Sequence, residues 1–188
     1  MFFTLPTLLT WARILSIPLV VGVFYLPIEG STRNLVATVL FIVVALTDWL
    51  DGWLARKLNQ TSSFGAFLDP VADKFLICAA LLILLQLDRV NAFVTLVIIG
   101  REIAISALRE WMATIGASRS VAVHMLGKLK TAVQMTAIPF LLYDGALFGV
   151  IDTRLWGTVL IYAAAVLTIW SMVYYLRKAL PEIRAKAR

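Results

Sequence analysis

Long apolar runs alternate with short polar connections along the whole chain. Six apolar segments are predicted, at roughly residues 8–26, 35–54, 71–87, 91–112, 128–143 and 155–176, most of them near the ~20 residues a helix needs to cross a bilayer. Turn-rich pieces separate them: Pro27-Ile28-Glu29-Gly30-Ser31, Asn59-Gln60-Thr61-Ser62-Ser63, Leu87-Asp88-Arg89, Ile115-Gly116-Ala117-Ser118, and the stretch from Asp144-Gly145 to Arg154. Pro18 and Pro139 fall inside segments and are expected to kink them, which spanning helices tolerate when neighbours re-satisfy the backbone. There is no internal repeat, low-complexity tract or linker, so residues 1–188 are expected to form one membrane domain. The opening residues lack a basic n-region and a small-residue cleavage site, so the first helix itself is the expected insertion signal.

Composition agrees with that pattern. Of 188 residues, 61% are hydrophobic and 15% charged, against about half and a quarter in a soluble domain. A mean hydropathy of +0.90 excludes a disordered chain, a disulfide scaffold and most soluble enzymes. The expected fold is an all-α integral membrane protein of six transmembrane helices. Cys78, the single cysteine, sits in an apolar run and reads as filler. The net charge of +6, in so apolar a chain, points to anionic lipid headgroups or phosphorylated substrates, not nucleic acid.

The cations set the orientation. One side holds Arg33, Arg89 and Arg154, only three of the seventeen Lys and Arg residues, beside Glu29, Asp88, Asp144 and Asp152. The other holds Arg56, Lys57, Lys74, Arg119, Lys128 and Lys130, with Arg177, Lys178, Arg184, Lys186 and Arg188 of the tail. By the positive-inside rule that second side is cytoplasmic, with both termini. Trp11, Tyr25, Trp156, Tyr174 and Tyr175 near segment ends suit the interfaces. The basic tail reads as a solvated anchor beside anionic lipid.

The informative feature is acidic. Asp48 and Asp51 end the second segment, and Asp69 and Asp73 begin the third. Ionisable groups in such places are functional candidates. Residues three or four apart share a helix face, so Asp48, Asp51, Gly52, Ala55 and Arg56 form one stripe and Asp69 and Asp73 a second. The second stripe requires both to be helical; Pro70 disfavours helix at Asp69, and the alternative is that Asp69 caps the third helix. The connection from Lys57 to Leu68 is short enough for antiparallel packing, which would bring four carboxylates together at the cytoplasmic side. In a partly dry pocket they cannot all stay ionised unaided. Oxygen-only donors favour a hard divalent ion such as Mg²⁺ or Mn²⁺, and two such ions could orient a pyrophosphate. One carboxylate could also accept a proton from an attacking hydroxyl. A proton relay, or four solvated loop carboxylates, fits the spacing as well. Gly52 and Ala55 leave room for a base or ribose, and Gly65 permits close backbone approach.

The pattern Asp48-x2-Asp51-Gly52-x2-Ala55-Arg56-x8-Gly65-x3-Asp69-x3-Asp73 resembles, position for position, the signature of the CDP-alcohol phosphatidyltransferases. A wider similarity, to the bacterial branch whose acceptor is glycerol 3-phosphate, covers Leu5 to Thr10, Phe64 to Lys74, Arg101 to Ala113 and Gly127 to Thr131. The resemblance implies six helices enclosing a polar cavity open to the cytoplasm, in a homodimer of the bacterial cytoplasmic (inner) membrane. It implies that Asp48, Asp51 and Asp69 hold two divalent cations, Mg²⁺ or Mn²⁺, that Asp73 ligates one of them, and that Asp73 is the general base. Gly52, Ala55, Arg56 and Gly65, with Thr7 and Ser62, would line the CDP-diacylglycerol site.

The acceptor needs its own argument, because that signature is shared across alcohols. Arg101 and Glu102 lie deep in an apolar stretch, and Arg109 follows about two turns later. Arg119, Lys128 and Lys130 come next in the chain. Several cations suit an acceptor carrying a phosphate, such as sn-glycerol 3-phosphate or inositol phosphate. In the branch this chain resembles, Arg101, Arg109 and Lys128 match the phosphate clamp. An intramembrane pair of Arg101 with Glu102 is the plainer alternative, and Arg119 and Lys130 read equally as ordinary cytoplasmic charges. His124 reads as a polar loop residue and not a metal ligand. No Ser, Cys or His nucleophile adjoins the aspartates, so a direct displacement releasing CMP is expected. The rival classes are a cation transporter built on the aspartates and a non-catalytic lipid-binding protein.

Overall fold

The computed structural model describes residues 5–57, 63–117 and 125–186; within these, the side chains of residues 5, 6, 48–56, 63, 66, 126, 185 and 186 are outside the description. Six helices account for nearly all of it: α1 (Leu5–Gly22), α2 (Gly30–Lys57), α3 (Ser63–Gln86), α4 (Ala92–Thr114), α5 (Met125–Tyr143) and α6 (Thr153–Lys186). A single 3-10 turn, Val23–Tyr25, ends α1. Between α5 and α6, β1 (Ala146–Leu147) pairs antiparallel with β2 (Ile151–Asp152). Local chemistry sets several boundaries. The Asn91 side chain accepts the Phe93 amide at 2.7 Å and caps α4, and Asp152 accepts the Leu155 amide at 3.0 Å at the start of α6, each satisfying a first-turn donor.

Two elements depart from the expected boundaries. The third helix starts at Ser63 and runs through Pro70, so Asp69 lies inside it and is not its cap. The restriction on a residue before proline is a preference. Here it yields to packing, because Leu68 and Ala72 on either side of Pro70 are both buried. The last helix continues ten residues beyond 176, into the basic tail. Tyr175 and Ala179 account for this, since both pack with Ile105, Leu108 and Met112 of α4.

In the bundle α1 lies on α2 and α3, α2 on α5, and α6 on both α5 and α4. The main core joins Ile17, Phe41, Leu76, Leu81, Leu84, Ile98, Ile138, Leu141 and Ile161. The α5–α6 seam is its tightest part, for a Cβ at Gly157 would stand 2.8 Å from Leu141 Cγ. Outside the core, large apolar side chains face outward, among them Leu15 and Leu96 at 69% exposure and Trp170 at 63%. Such surface suits lipid and not water. Three helical stretches, Thr7–Tyr25, Gly30–Thr47 and Thr153–Arg184, are long and apolar enough to cross a bilayer; α3, α4 and α5 carry charged residues. The chain is thus a predominantly helical membrane protein.

Connectivity sorts the connections to two ends. The α1–α2, α3–α4 and α5–α6 connections share one end. There Arg89 is the tie: its guanidinium donates to the Leu141 and Leu142 carbonyls at 3.0 and 2.8 Å and to Asn34 Oδ1 at 3.0 Å, and pairs with Asp144 at 3.2 Å. Burial pushes the Arg89 guanidinium down from its ordinary value, and the Asp144 carboxylate works against that. The opposite end holds the start of α1, the end of α2, the start of α3, the end of α4, the start of α5 and the end of α6.

Candidate active site

At that second end α1 and α3 present matched polar faces. Thr10 and Arg13 are three residues apart, Asp69 and Asp73 four apart, and each set lies on one helix face. The Thr10 hydroxyl donates to Asp69 Oδ1 at 2.7 Å. The Arg13 guanidinium donates to Asp73 Oδ1 at 3.2 Å. Arg13 is fully buried at its side chain, whereas that of Asp73 is 48% exposed. The half-exposed carboxylate is therefore held by a fully buried cation. Thr7, one turn before Thr10, is buried, and Gly65, one turn before Asp69, is half-buried.

Asp48, Asp51, Gly52, Ala55 and Arg56 occupy the last turns of α2. Their side chains lie outside the description, but five residues of connection place these turns at the same end of the bundle as the start of α3. Among the described side chains no three potential ligands gather into a metal site; Asp69 and Asp73 are the two described members of the expected four. Ser62, Arg119 and His124 lie outside the described residues.

A second polar group lies between α4, α5 and α6. Arg101 is buried in α4 and donates to Ser171 Oγ of α6 at 3.1 Å. It also pairs with Glu102 at 3.5 Å, so the intramembrane pair foreseen as an alternative does form. Glu102 is shared, because Lys130 of α5 pairs with it too. Lys130 is buried, whereas Lys128 on the same helix is exposed. Arg109 reaches Tyr175 of α6, with 3.4 Å between its terminal nitrogen and the phenol oxygen. The Nε atoms of Arg101 and Arg109 are buried with no hydrogen-bond partner among the described residues. Buried polar atoms left in that state are uncommon and call for a ligand or water.

A cavity lies between α3 and α4 beside Arg109. It has a volume of about 340 Å³ and is lined by Phe67, Pro70, Val71 and Lys74 of α3 and by Ser106, Arg109 and Glu110 of α4. Lys74 adjoins Asp73 in sequence, and Arg109 belongs to the cation group. Phe67 and Val71 are exposed on its outer rim, so it opens towards the lipid-facing surface.

The sequence reading singled out neither Thr10 nor Arg13. A signal existed for Arg13, a lone charge within an apolar first helix. Ser171 carries no such mark, and Tyr175 was expected only as an interfacial ring; their contacts depend on how α6 packs against α4.

A family model described as CDP-alcohol phosphatidyltransferase matches residues 3–170. The chain is also similar to curated bacterial proteins along almost its whole length. It is 47% identical over 186 residues, 97% of this chain and 98% of the relative, to the CDP-diacylglycerol–glycerol-3-phosphate 3-phosphatidyltransferase of Escherichia coli strain K12. Proteins of the same name from Escherichia coli O157:H7 and Shigella sonnei match to the same extent, at 47% identity over 97% of this chain and 98% of each relative.

Proposed function

The chain belongs to the CDP-alcohol phosphatidyltransferase family, and from that premise we propose that it transfers the phosphatidyl group of CDP-diacylglycerol to sn-glycerol 3-phosphate, giving phosphatidylglycerophosphate and CMP. One observation carries the choice of acceptor. Between α4, α5 and α6 lies a cation group, Arg101 and Lys130 buried and Arg109 half-buried, offset among the described residues by the carboxylate Glu102. An uncharged alcohol would give those cations nothing to bind, whereas a phosphorylated one would.

The roles follow from the two halves. Asp73, oriented by Arg13, takes the proton from the acceptor 1-hydroxyl. That oxygen forms a bond to the β-phosphorus, and the bond from phosphorus to the CMP oxygen breaks. Arg101, Arg109 and Lys130, together with Lys128 and Arg119, hold the acceptor phosphate. Gly52, Ala55, Arg56 and Gly65, with Thr7 and Ser62, line the nucleotide. Asp48, Asp51, Asp69 and Asp73 form an oxygen-only donor set, which fits hard divalent ions, Mg²⁺ or Mn²⁺; two such ions would neutralise charge on the pyrophosphate oxygens. Most of the acceleration comes from positioning and preorganised charge.

The remaining parts of the reading rest on the charge pattern and the family. All six helices cross the bacterial cytoplasmic membrane, with Arg101 of α4 and Lys130 of α5 buried inside the bundle. Besides the lipid-facing rim of the α3–α4 cavity, the polar site opens to the cytoplasm, where both termini also lie, and the working unit is a homodimer. The deciding experiment is CMP release by the purified protein with CDP-diacylglycerol and a panel of alcohols, with and without Mg²⁺ or Mn²⁺. Metal-dependent release with glycerol 3-phosphate and with no unphosphorylated alcohol is expected. Release with inositol phosphate alone would reassign the acceptor. Full turnover under exhaustive chelation would overturn the metal site, and ion flux in liposomes without CMP release would favour a transporter.

A further inference from the structure

Tyr175 lies outside the signature and beyond residue 170, where the match to the family model ends. It is nevertheless among the most buried large side chains, at 1% exposure. Arg101 and Arg109 leave α4 about 12 Å apart along its axis, at ~1.5 Å per residue. Both guanidinium groups nevertheless sit over the one Tyr175 ring, 5.8 and 5.3 Å from its centroid. Like charges gathered in this way repel. A carboxylate would relieve the repulsion but cancel the charge. An aromatic face attracts cations through its quadrupole and carries no net charge. Among the described residues the one carboxylate paired within this group is Glu102, which pairs with Arg101 and Lys130, so with Arg109 the group keeps a net charge of two. A phosphate monoester carries about −1.5 to −2 at neutral pH. The unpartnered Nε atoms of both arginines leave donors for it.

We propose that Tyr175 is a positioning residue for the acceptor phosphate: an uncharged platform that draws Arg101 and Arg109 together without neutralising them, so that the pocket matches a dianionic phosphate monoester. This deepens the proposed function and rests on it. Tyr175 acts through the two arginines and touches no reacting atom. Gly127 belongs to the same arrangement, because a Cβ there would stand 3.2 Å from the Tyr175 hydroxyl. The absence of a side chain at 127 lets the ring sit under both cations.

The test measures acceptor KM, donor KM and kcat separately for the wild-type protein and for Tyr175→Leu, Tyr175→Phe, Gly127→Ala and Arg101→Gln. Losing the ring in Tyr175→Leu raises acceptor KM about tenfold, with donor KM and kcat within about twofold, because each cation–ring contact is modest. Tyr175→Phe keeps the ring and holds acceptor KM within about threefold of wild type. Equal damage in the Phe and Leu variants would assign the effect to the hydroxyl and overturn the platform. An unchanged acceptor KM in Tyr175→Leu would overturn it as well. Should the Leu variant fail to fold, Gly127→Ala decides: a rise in acceptor KM alone supports the platform, and no change overturns it. Wild type and Arg101→Gln separate this inference from its premise. No transfer to glycerol 3-phosphate by wild type defeats the proposed function. Normal wild-type transfer, with acceptor KM raised by Arg101→Gln but not by Tyr175→Leu, defeats only the role of Tyr175.

Discussion

Two buried arginine sites at opposite ends of the bundle are chemically alike and structurally opposed. Arg89 donates to two helix-terminal carbonyls and an asparagine and pairs with an aspartate. Arg101 instead has the Ser171 hydroxyl and the Glu102 carboxylate, Arg109 has the Tyr175 hydroxyl, both lie over the Tyr175 ring, and each keeps a buried Nε without a hydrogen-bond partner among the described residues. Desolvating a guanidinium is costly in either place. At Arg89 the cost is offset by acceptors of the fold itself, so the residue ties helix ends together. At Arg101 and Arg109 the offset is incomplete, which leaves capacity for an anion. Internal satisfaction thus separates Arg89 from Arg101 and Arg109.

Four experiments press on that contrast. The largest effect is expected next to the cation pocket: Asp73→Asn lowers turnover by about 10³-fold, within the range for losing a general base, while its melting temperature stays near wild type because that side chain is half exposed. Retained turnover would remove the catalytic half of the site. Arg101→Gln comes next, with acceptor KM raised about 100-fold, the scale of a charge-assisted contact to phosphate, and only a small loss of stability, because Lys130 still neutralises Glu102. Arg89→Gln is its counterpart. It costs about 2–4 kcal/mol of stability, in the range for breaking a buried pair, and leaves both KM values within twofold; a selective rise in acceptor KM would erase the distinction. Smallest is Gly157→Ala, which overpacks the Leu141 contact and costs about 1–3 kcal/mol, read as a lower melting temperature with unchanged KM.

The carboxylate half was the more legible in sequence, because its spacing lies within about 25 consecutive residues and survives translation into helix faces. Asp69 and Asp73 do share a face of α3. The segment map also carried over, with ends displaced where packing outweighed local preference, as at Pro70 and beyond residue 176. The cation half was only partly legible. Arg101, Arg109 and Lys130 stood out as charges in apolar surroundings, but nothing local says that Lys130 is buried and Lys128 exposed. That difference comes from the rotation of α5 against α4. The partners Thr10, Arg13, Ser171 and Tyr175 are separated from their contacts by 59 to 70 positions, and no pattern within a single segment encodes such pairings.

The cavity between α3 and α4 has a rim of Phe67 and Val71 on the outer surface of the bundle. A lipid-anchored donor reaching it through that rim diffuses in a plane, and its effective concentration is a mole fraction of the surrounding amphiphile. Diluting the donor with inert detergent at constant bulk molarity should therefore slow the reaction, whereas the water-soluble acceptor would follow ordinary volume concentration.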